Sequence, residues 1–263
     1  MQIIERTGQF SDRFSRWNQN ENLSSYPFII NERSSFTPLQ RALPMLNLGL
    51  IASAGAFIDG TDPFDLESKD GDLHFREIPI EVAAEDLRYA AKGYDPKYVT
   101  EDRNAQVPVD RLREYAGNGV IGALNNVWWS VSPWIPNARL VADQLAPQLA
   151  DRLHRYEVRA ALLIPASPLC HQTLALIARG IEATGISTML ISVDPVMTDR
   201  VRPPRAAYYN GDFGSVAGKP NWREYQLRIL DEAIRWIETF DQPGSRKLSV
   251  DLQTAVEAAR GER

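Results

Sequence analysis

Cysteine is almost absent from this 263-residue chain: Cys170 is the single one. No internal disulfide can form, which fits a reducing compartment. Histidine is scarce as well. His74, His154 and His171 stand apart, with no HxH, HxxxH or CxxC spacing, so no metal site is expected. Long apolar runs are missing. The most apolar stretch, 43–58, contains Pro44, Asn47, Gly49 and Gly55, and nothing matches the uncharged run a membrane helix needs. Residues 1–10 carry Glu5 and Arg6 and no apolar core, so no secretory leader is expected. Basic excess is lacking too. A net charge of −5 and a pI near 5.4 argue against a general nucleic-acid binder. Arg200, Arg202 and Arg205 form a local basic stretch that fits either a solvated loop or an anionic substrate.

Several catalytic signatures are also missing. There is no Walker loop and no GxSxG elbow. The stretch 211–218, GDFGSVAG, is rich in glycine but has neither the Walker lysine-serine pair nor dinucleotide spacing. Asp62, Asp65, Asp70 and Asp72 lack an EF-hand order and read as solvated acids. The expectation is a cytoplasmic protein without a resident cofactor, away from membrane and nucleic acid.

What is present reads as an ordinary globular chain, with 44% hydrophobic and 24% charged residues. Its length suffices for a large core without disulfides or metal. Residues 1–42 are polar and irregular, with Trp17, Tyr26, Phe28 and Phe36 scattered through them. They are expected to form an N-terminal arm lying on a single α/β domain over 43–263. The apolar runs 45–53, 120–131, 158–165 and 187–193 read as buried strands, with 74–78 and 206–209 as shorter ones. Helices are expected over 108–117, 137–156, 168–184, 222–240 and 250–259, and Pro147 should kink or split the second. From residue 120 the order is strand, helix, strand, helix, strand. That order builds an open, mostly parallel sheet with helices on both faces. Ligands in such sheets sit beyond the carboxyl ends of the strands.

The best chemical signal is the strand-to-helix segment Ile164-Pro-Ala-Ser-Pro-Leu-Cys-His-Gln-Thr. Ser167 before Pro168 fits an N-cap followed by proline at the first helical position. Cys170 then lies in the first turn, where free N–H groups and the helix dipole favour a thiolate below the usual pKa of about 8.5. Free cysteines also serve as small buried hydrophobes, so both readings stand. His171 is adjacent, but neighbouring helical residues point apart.

Several segments, in order, resemble the selenoprotein B family of glycine, sarcosine, betaine and D-proline reductases. They are Phe36-Thr-Pro-Leu, Ser53-Ala-Gly-Ala, the segment 71–79 (GDLHFREIP), Gly93-Tyr-Asp, Val107-Pro-Val-Asp-Arg-Leu, Gly119-Val-Ile-Gly, Ser167-Pro-Leu-Cys-His-Gln-Thr and Glu182-Ala-Thr-Gly-Ile-Ser-Thr. The resemblance spans about residues 36–240. It implies that this strand-to-helix loop is the redox loop, with selenocysteine ahead of a cysteine. The matching pair here is Ser167 and Cys170, so the selenium position is lost and the thiol kept. The resemblance also implies reductive cleavage of a carbon–nitrogen bond, work in multi-subunit complexes, and histidines before Gly93. Here that stretch reads Tyr89-Ala-Ala-Lys.

Two classes of function follow. One is a thiol-dependent oxidoreductase acting through Cys170, with Ser167 and His171 beside it, on a small amino-acid-like or C–N- or C–S-containing substrate and served by an external thiol or reductase. Ser53, Arg76, Asn125, Asn126 and Trp128 are its expected substrate contacts. Arg76 fits a carboxylate, or an ion pair within the protein. Trp128 fits a pocket wall or the core. The other class is a binding or assembly subunit without catalysis, as a homo-oligomer or beside a partner reductase subunit.

Overall fold

The apolar runs become strands because their alternate residues feed two cores. In β3 (Asn47–Ala52), Leu48, Leu50 and Ala52 face one side and Ile51 the other. In β9 (Ala160–Ile164), Leu162 and Ile164 face the first side and Ala161 and Leu163 the second. Strands buried on both faces read as continuous apolar runs, as these do. The computed structural model describes residues 4–6 and 28–259, and in it β1 (Ile4–Arg6) pairs antiparallel with β2 (Phe28–Ile30). Trp17 and Tyr26 lie outside the described residues.

The main sheet runs β12-β11-β10-β9-β3-β8-β5. Its remaining strands are β5 (Arg76–Pro79), β8 (Val127–Ser130), β10 (Ser187–Ser192), β11 (Arg205–Tyr208) and β12 (Gly244–Lys247). All pair in parallel except β5, which lies antiparallel to β8 at one edge. A short strand, β7 (Ala123–Leu124), pairs with β3 on the same side as β8. Between Leu48↔Leu124 and Ile51↔Trp129, this side gains two residues on β3. Asn125 and Asn126 form that bulge. The chain leaves β3 toward β8, then crosses back to β9 and continues outward to β10. The crevice beyond the carboxyl ends of β3 and β9 is therefore the topological switch point.

Helices cover both faces. On the first lie α2 (Val109–Gly117) and α7 (Arg223–Thr239), through residues such as Leu112, Ile229 and Ile234. On the second lie α3 (Ala138–Leu140), α4 (Ala146–Arg155), α5 (Pro168–Glu182) and α6 (Pro195–Val201). Pro147 does disturb its helix. The turn before it, Val141–Leu145, is π-helical, and the Ala146 N–H donates to the Val141 carbonyl five residues back. Every residue of α5 but Gly180 is buried. The chain from Ile29 to Thr37 covers it: the Ile29 N–H donates to Gln172 Oε1 (2.9 Å), and Ser35 Oγ donates to the Arg179 carbonyl (2.9 Å).

Five elements were not foreseen. Strand β12, not 206–209, is the last, and its GSRK sequence carries no apolar alternation because it sits at an edge. Helix α6 is one short segment capped by Asp194. The unassigned stretch 79–107 holds β6 (Leu87–Tyr89), antiparallel to β4 (Ala56–Ile58), and the short α1 (Lys97–Glu101). Among the described residues, no helix is long and apolar enough to cross a membrane.

Candidate functional site

The switch-point crevice is built from the ends of β3, β8 and β9. Past β3 come Ser53, Ala54 and Gly55. Gly55 has φ +63°, and a Cβ there would lie 2.5 Å from the Ala90 carbonyl oxygen and 2.7 Å from Pro133 Cδ. Only glycine lets the turn, the strap after β6 and Pro133 meet so closely. Past β9 comes the loop to α5. Ser167 caps the helix as expected, its Oγ accepting the Cys170 N–H at 3.1 Å. Ser53 Oγ accepts the Ala166 N–H at 3.2 Å and ties the two strand ends together.

Cys170 lies at the centre and is 0% exposed. Its thiol donates to the carbonyls of Pro133 (3.3 Å) and Ser53 (3.5 Å). Burial pushes its pKa up; hydrogen bonds with Ser167 and Ser53 and with the backbone offset this in part. The helix start was expected to lower it. Desolvation wins because the sulfur is fully buried, which outweighs the hydrogen bonds around it.

His171 was expected to stand beside the sulfur. Its ring is instead locked away from that role. Nδ1–H donates to the Ser167 carbonyl at 2.7 Å, and Nε2 accepts the Val193 N–H at 3.2 Å. Burial holds its pKa down at about 4, and the ring meets Phe213 edge-on. A neutral imidazole with both nitrogens engaged is not a base for Cys170.

A strap after β6 closes the crevice. Tyr94 is buried and its hydroxyl donates to the Ala54 carbonyl at 2.6 Å, one residue along from the carbonyl that accepts the thiol. Burial drives its pKa well above the usual tyrosine value. Gly93, φ +79°, lies against Ser167. From the other side comes Gly214, φ +77°, whose N–H donates to the Ala166 carbonyl at 2.9 Å. A Cβ on Gly214 would lie 2.7 Å from the Asp95 carbonyl oxygen and 2.8 Å from Tyr94 Cδ2. The glycine-rich stretch 211–218 thus serves as packing. Tyr94, Pro133 and Gly214 were not singled out from the sequence; the Gly93-Tyr-Asp motif and that stretch were their available signals.

The other expected substrate contacts do not converge here. Arg76 sits on the edge strand β5, paired with Asp72 (3.2 Å), donating to the His74 and Pro63 carbonyls and stacked on Phe64. Its alternative reading, an internal ion pair, holds. Asn125 and Asn126 lie in the bulge near the amino ends of the strands. Asn125 accepts from Asn47 Nδ2 and donates to the Val127 carbonyl, while the exposed Asn126 offers its carbonyl to the Ile80 N–H. They shape the bulge and face no crevice. Trp128 is 1% exposed in the first core and Trp129 0% exposed in the second, so both are core residues on opposite faces. Among the described residues no group of three or more His, Cys, Asp or Glu side chains has the arrangement of a metal site.

Other segments of the resemblance meet at the opposite rim. Glu182 pairs with Arg205 where both side chains are fully buried. The Thr37 N–H and the Thr188 N–H and hydroxyl complete the carboxylate's partners at 2.8, 2.7 and 2.6 Å. Arg205 also donates to the Thr37 carbonyl and lies over the Phe36 ring.

Comparison with known proteins agrees with this grouping. Residues 43–166 match the family described as glycine/sarcosine/betaine reductase selenoprotein B. The chain is 28% identical over 209 residues to D-proline reductase subunit gamma of Acetoanaerobium sticklandii, across 80% of this chain and 85% of that one. This chain is a selenoprotein B family relative. It is also 30% identical to glycine reductase complex component B subunit gamma of Symbiobacterium thermophilum, across 82% of this chain but 52% of that subunit. The sarcosine reductase complex component B subunit beta of Peptoclostridium acidaminophilum is 24% identical, with 40% of its length covered. The chain thus spans about half or less of those complex subunits. No solved structure matches it. In this selenoprotein B relative the family match ends at residue 166, directly before Ser167. It includes the Ser53 turn, the Gly93–Asp95 strap and Pro133, so the match covers the housing of the thiol and stops at the loop that carries it.

Proposed function

We propose that this chain is a binding or assembly subunit of a reductase-type complex rather than its catalyst. One observation carries the reading: Cys170, the chain's single cysteine, is fully buried, donates its thiol to two carbonyls and has a raised pKa. A nucleophilic thiol needs exposure and thiolate character, and this one has neither. Relatives named as reductase subunits supply the context of a complex.

A second reading keeps the chemistry. In it Cys170 acts on a small amino-acid-like substrate once the strap at Gly93–Asp95 moves, with an external thiol as reductant. The position of Ser53 and Cys170 at the switch point favours it. Dithiothreitol oxidation in the presence of D-proline, glycine or sarcosine separates the two. The subunit reading expects no substrate-dependent oxidation by the wild-type protein. Turnover that disappears in Cys170→Ala would establish the second reading instead.

A further inference from the structure

The amino rim of the sheet carries a second cleft, remote from Cys170 in the fold. Its volume is about 310 Å³, and Arg41, His154, Arg159, Thr184, Gly185 and Ser187 are among its lining residues. Arg159 immediately precedes β9 and Ser187 opens β10, so the cleft lies below the strands whose other ends bound the thiol.

Its charge is one-sided. No carboxylate lines it. Several arginines elsewhere in this acidic chain are held by acids: Arg76 by Asp72, Arg88 by Asp59, Arg103 by Asp110, Arg223 by Glu114. Among the described residues Arg41 and Arg159 have no such partner. Glu157, two residues before Arg159, is exposed and does not line the cleft, and two further acids at the ends of α4 and α5 are occupied. Glu182 is spent on Arg205, Thr37 and Thr188, and Asp151 on Arg155. The ends of α4 and α5 come to this cleft, and helix carboxyl ends by themselves favour cations. Their carbonyls are already capped, however. The Glu157 N–H donates to His154, the Thr184 N–H to Ile181 and the Gly185 N–H to Glu182. The two guanidinium groups therefore exceed what the helix ends require. His154 Nε2 meets Thr184 Oγ1 at 3.1 Å, which holds the imidazole at the cleft wall.

We propose that this cleft binds the phosphate group of a small phosphorylated ligand. Two planar guanidinium groups offer paired N–H donors that match the oxygens of a dianion. The inference is independent of the role of Cys170.

The test is the thermal unfolding midpoint with inorganic phosphate, against sodium chloride and sodium acetate at equal ionic strength. Ligand that binds only the folded chain raises the midpoint; at a hundredfold excess over the dissociation constant the expected rise is about 5 °C or more. Arg41→Ala with Arg159→Ala should abolish the rise, and Arg159→Lys should reduce it because a point charge lacks the fork. Arg113→Ala, exposed on α2 outside the cleft, should leave it unchanged. Circular dichroism of each variant checks the fold. An equal rise with chloride, a larger rise with acetate, or an undiminished rise in Arg159→Lys and the double variant would each overturn the proposal.

Discussion

The two rims of one sheet handle buried polar groups in opposite ways. At the carboxyl rim, Cys170, Tyr94, Ser53 and Ser167 are all neutral, and each hydrogen bonds to backbone. At the amino rim, Glu182 and Arg205 bury a full charge pair satisfied by Thr37 and Thr188. Carboxyl rims of parallel sheets ordinarily carry chemistry and amino rims stability. Here the carboxyl rim is closed, its thiol held in the uncharged form, while the amino rim has both a charge lock and an open basic cleft. The loop that resembles a redox loop has kept its helix cap and lost the conditions for a thiolate. Cap geometry needs only Ser167 and an N–H; thiolate chemistry needs solvent or a cation at the sulfur.

The largest test of this contrast is at the amino rim. Arg205→Leu leaves Glu182 buried without its cation and is expected to cost about 3–5 kcal/mol in urea unfolding. A loss below about 1 kcal/mol would show that the pair is not the lock described.

The next is pH. His171 has a folded pKa of about 4 against about 6.5 unfolded, so the unfolded chain binds the extra proton between these values. Its contribution is present above pH 6.5 and is lost as pH falls toward 4. The loss expected is about 3 kcal/mol, and His171→Asn should flatten that part of the profile. Equal slopes in the two proteins would contradict the neutral, locked imidazole.

Smaller effects are expected at the strap. Gly214→Ala combines a positive φ with a close approach to Asp95 and Tyr94, for an expected cost of about 2 kcal/mol and faster labelling of Cys170. Arg76→Ala should cost less than about 1 kcal/mol, since its pair with Asp72 sits at the sheet edge.

Much of the sheet was legible because β3, β9 and β10 are buried on both faces and declare themselves as apolar runs. Ser167 and Pro168 declared the helix start equally well. What lay hidden was three-dimensional. Nothing in Gly93-Tyr-Asp or in Gly211–Gly218 announces that the two segments close on Ser167 from opposite sides. The placement of Asn125 and Trp128 away from the crevice was hidden for the same reason. Asn125 follows an apolar run, but that run is β7, which starts at the amino rim and breaks into a bulge. Trp128 fitted a pocket wall or the core, and it lies in the core within β8, with Trp129 on the opposite face. β12 was missed because an edge strand of glycine, serine and two basic residues carries no periodic signal.

The most direct test of the closed carboxyl rim is the rate of Cys170 alkylation by iodoacetamide, followed by mass spectrometry across pH and urea. The account expects a thiol that labels only as fast as the chain unfolds, with a rate that rises with urea in step with global unfolding. Rapid, urea-independent labelling by a thiolate that titrates well below about 8.5 would contradict it and return Cys170 to the role of nucleophile.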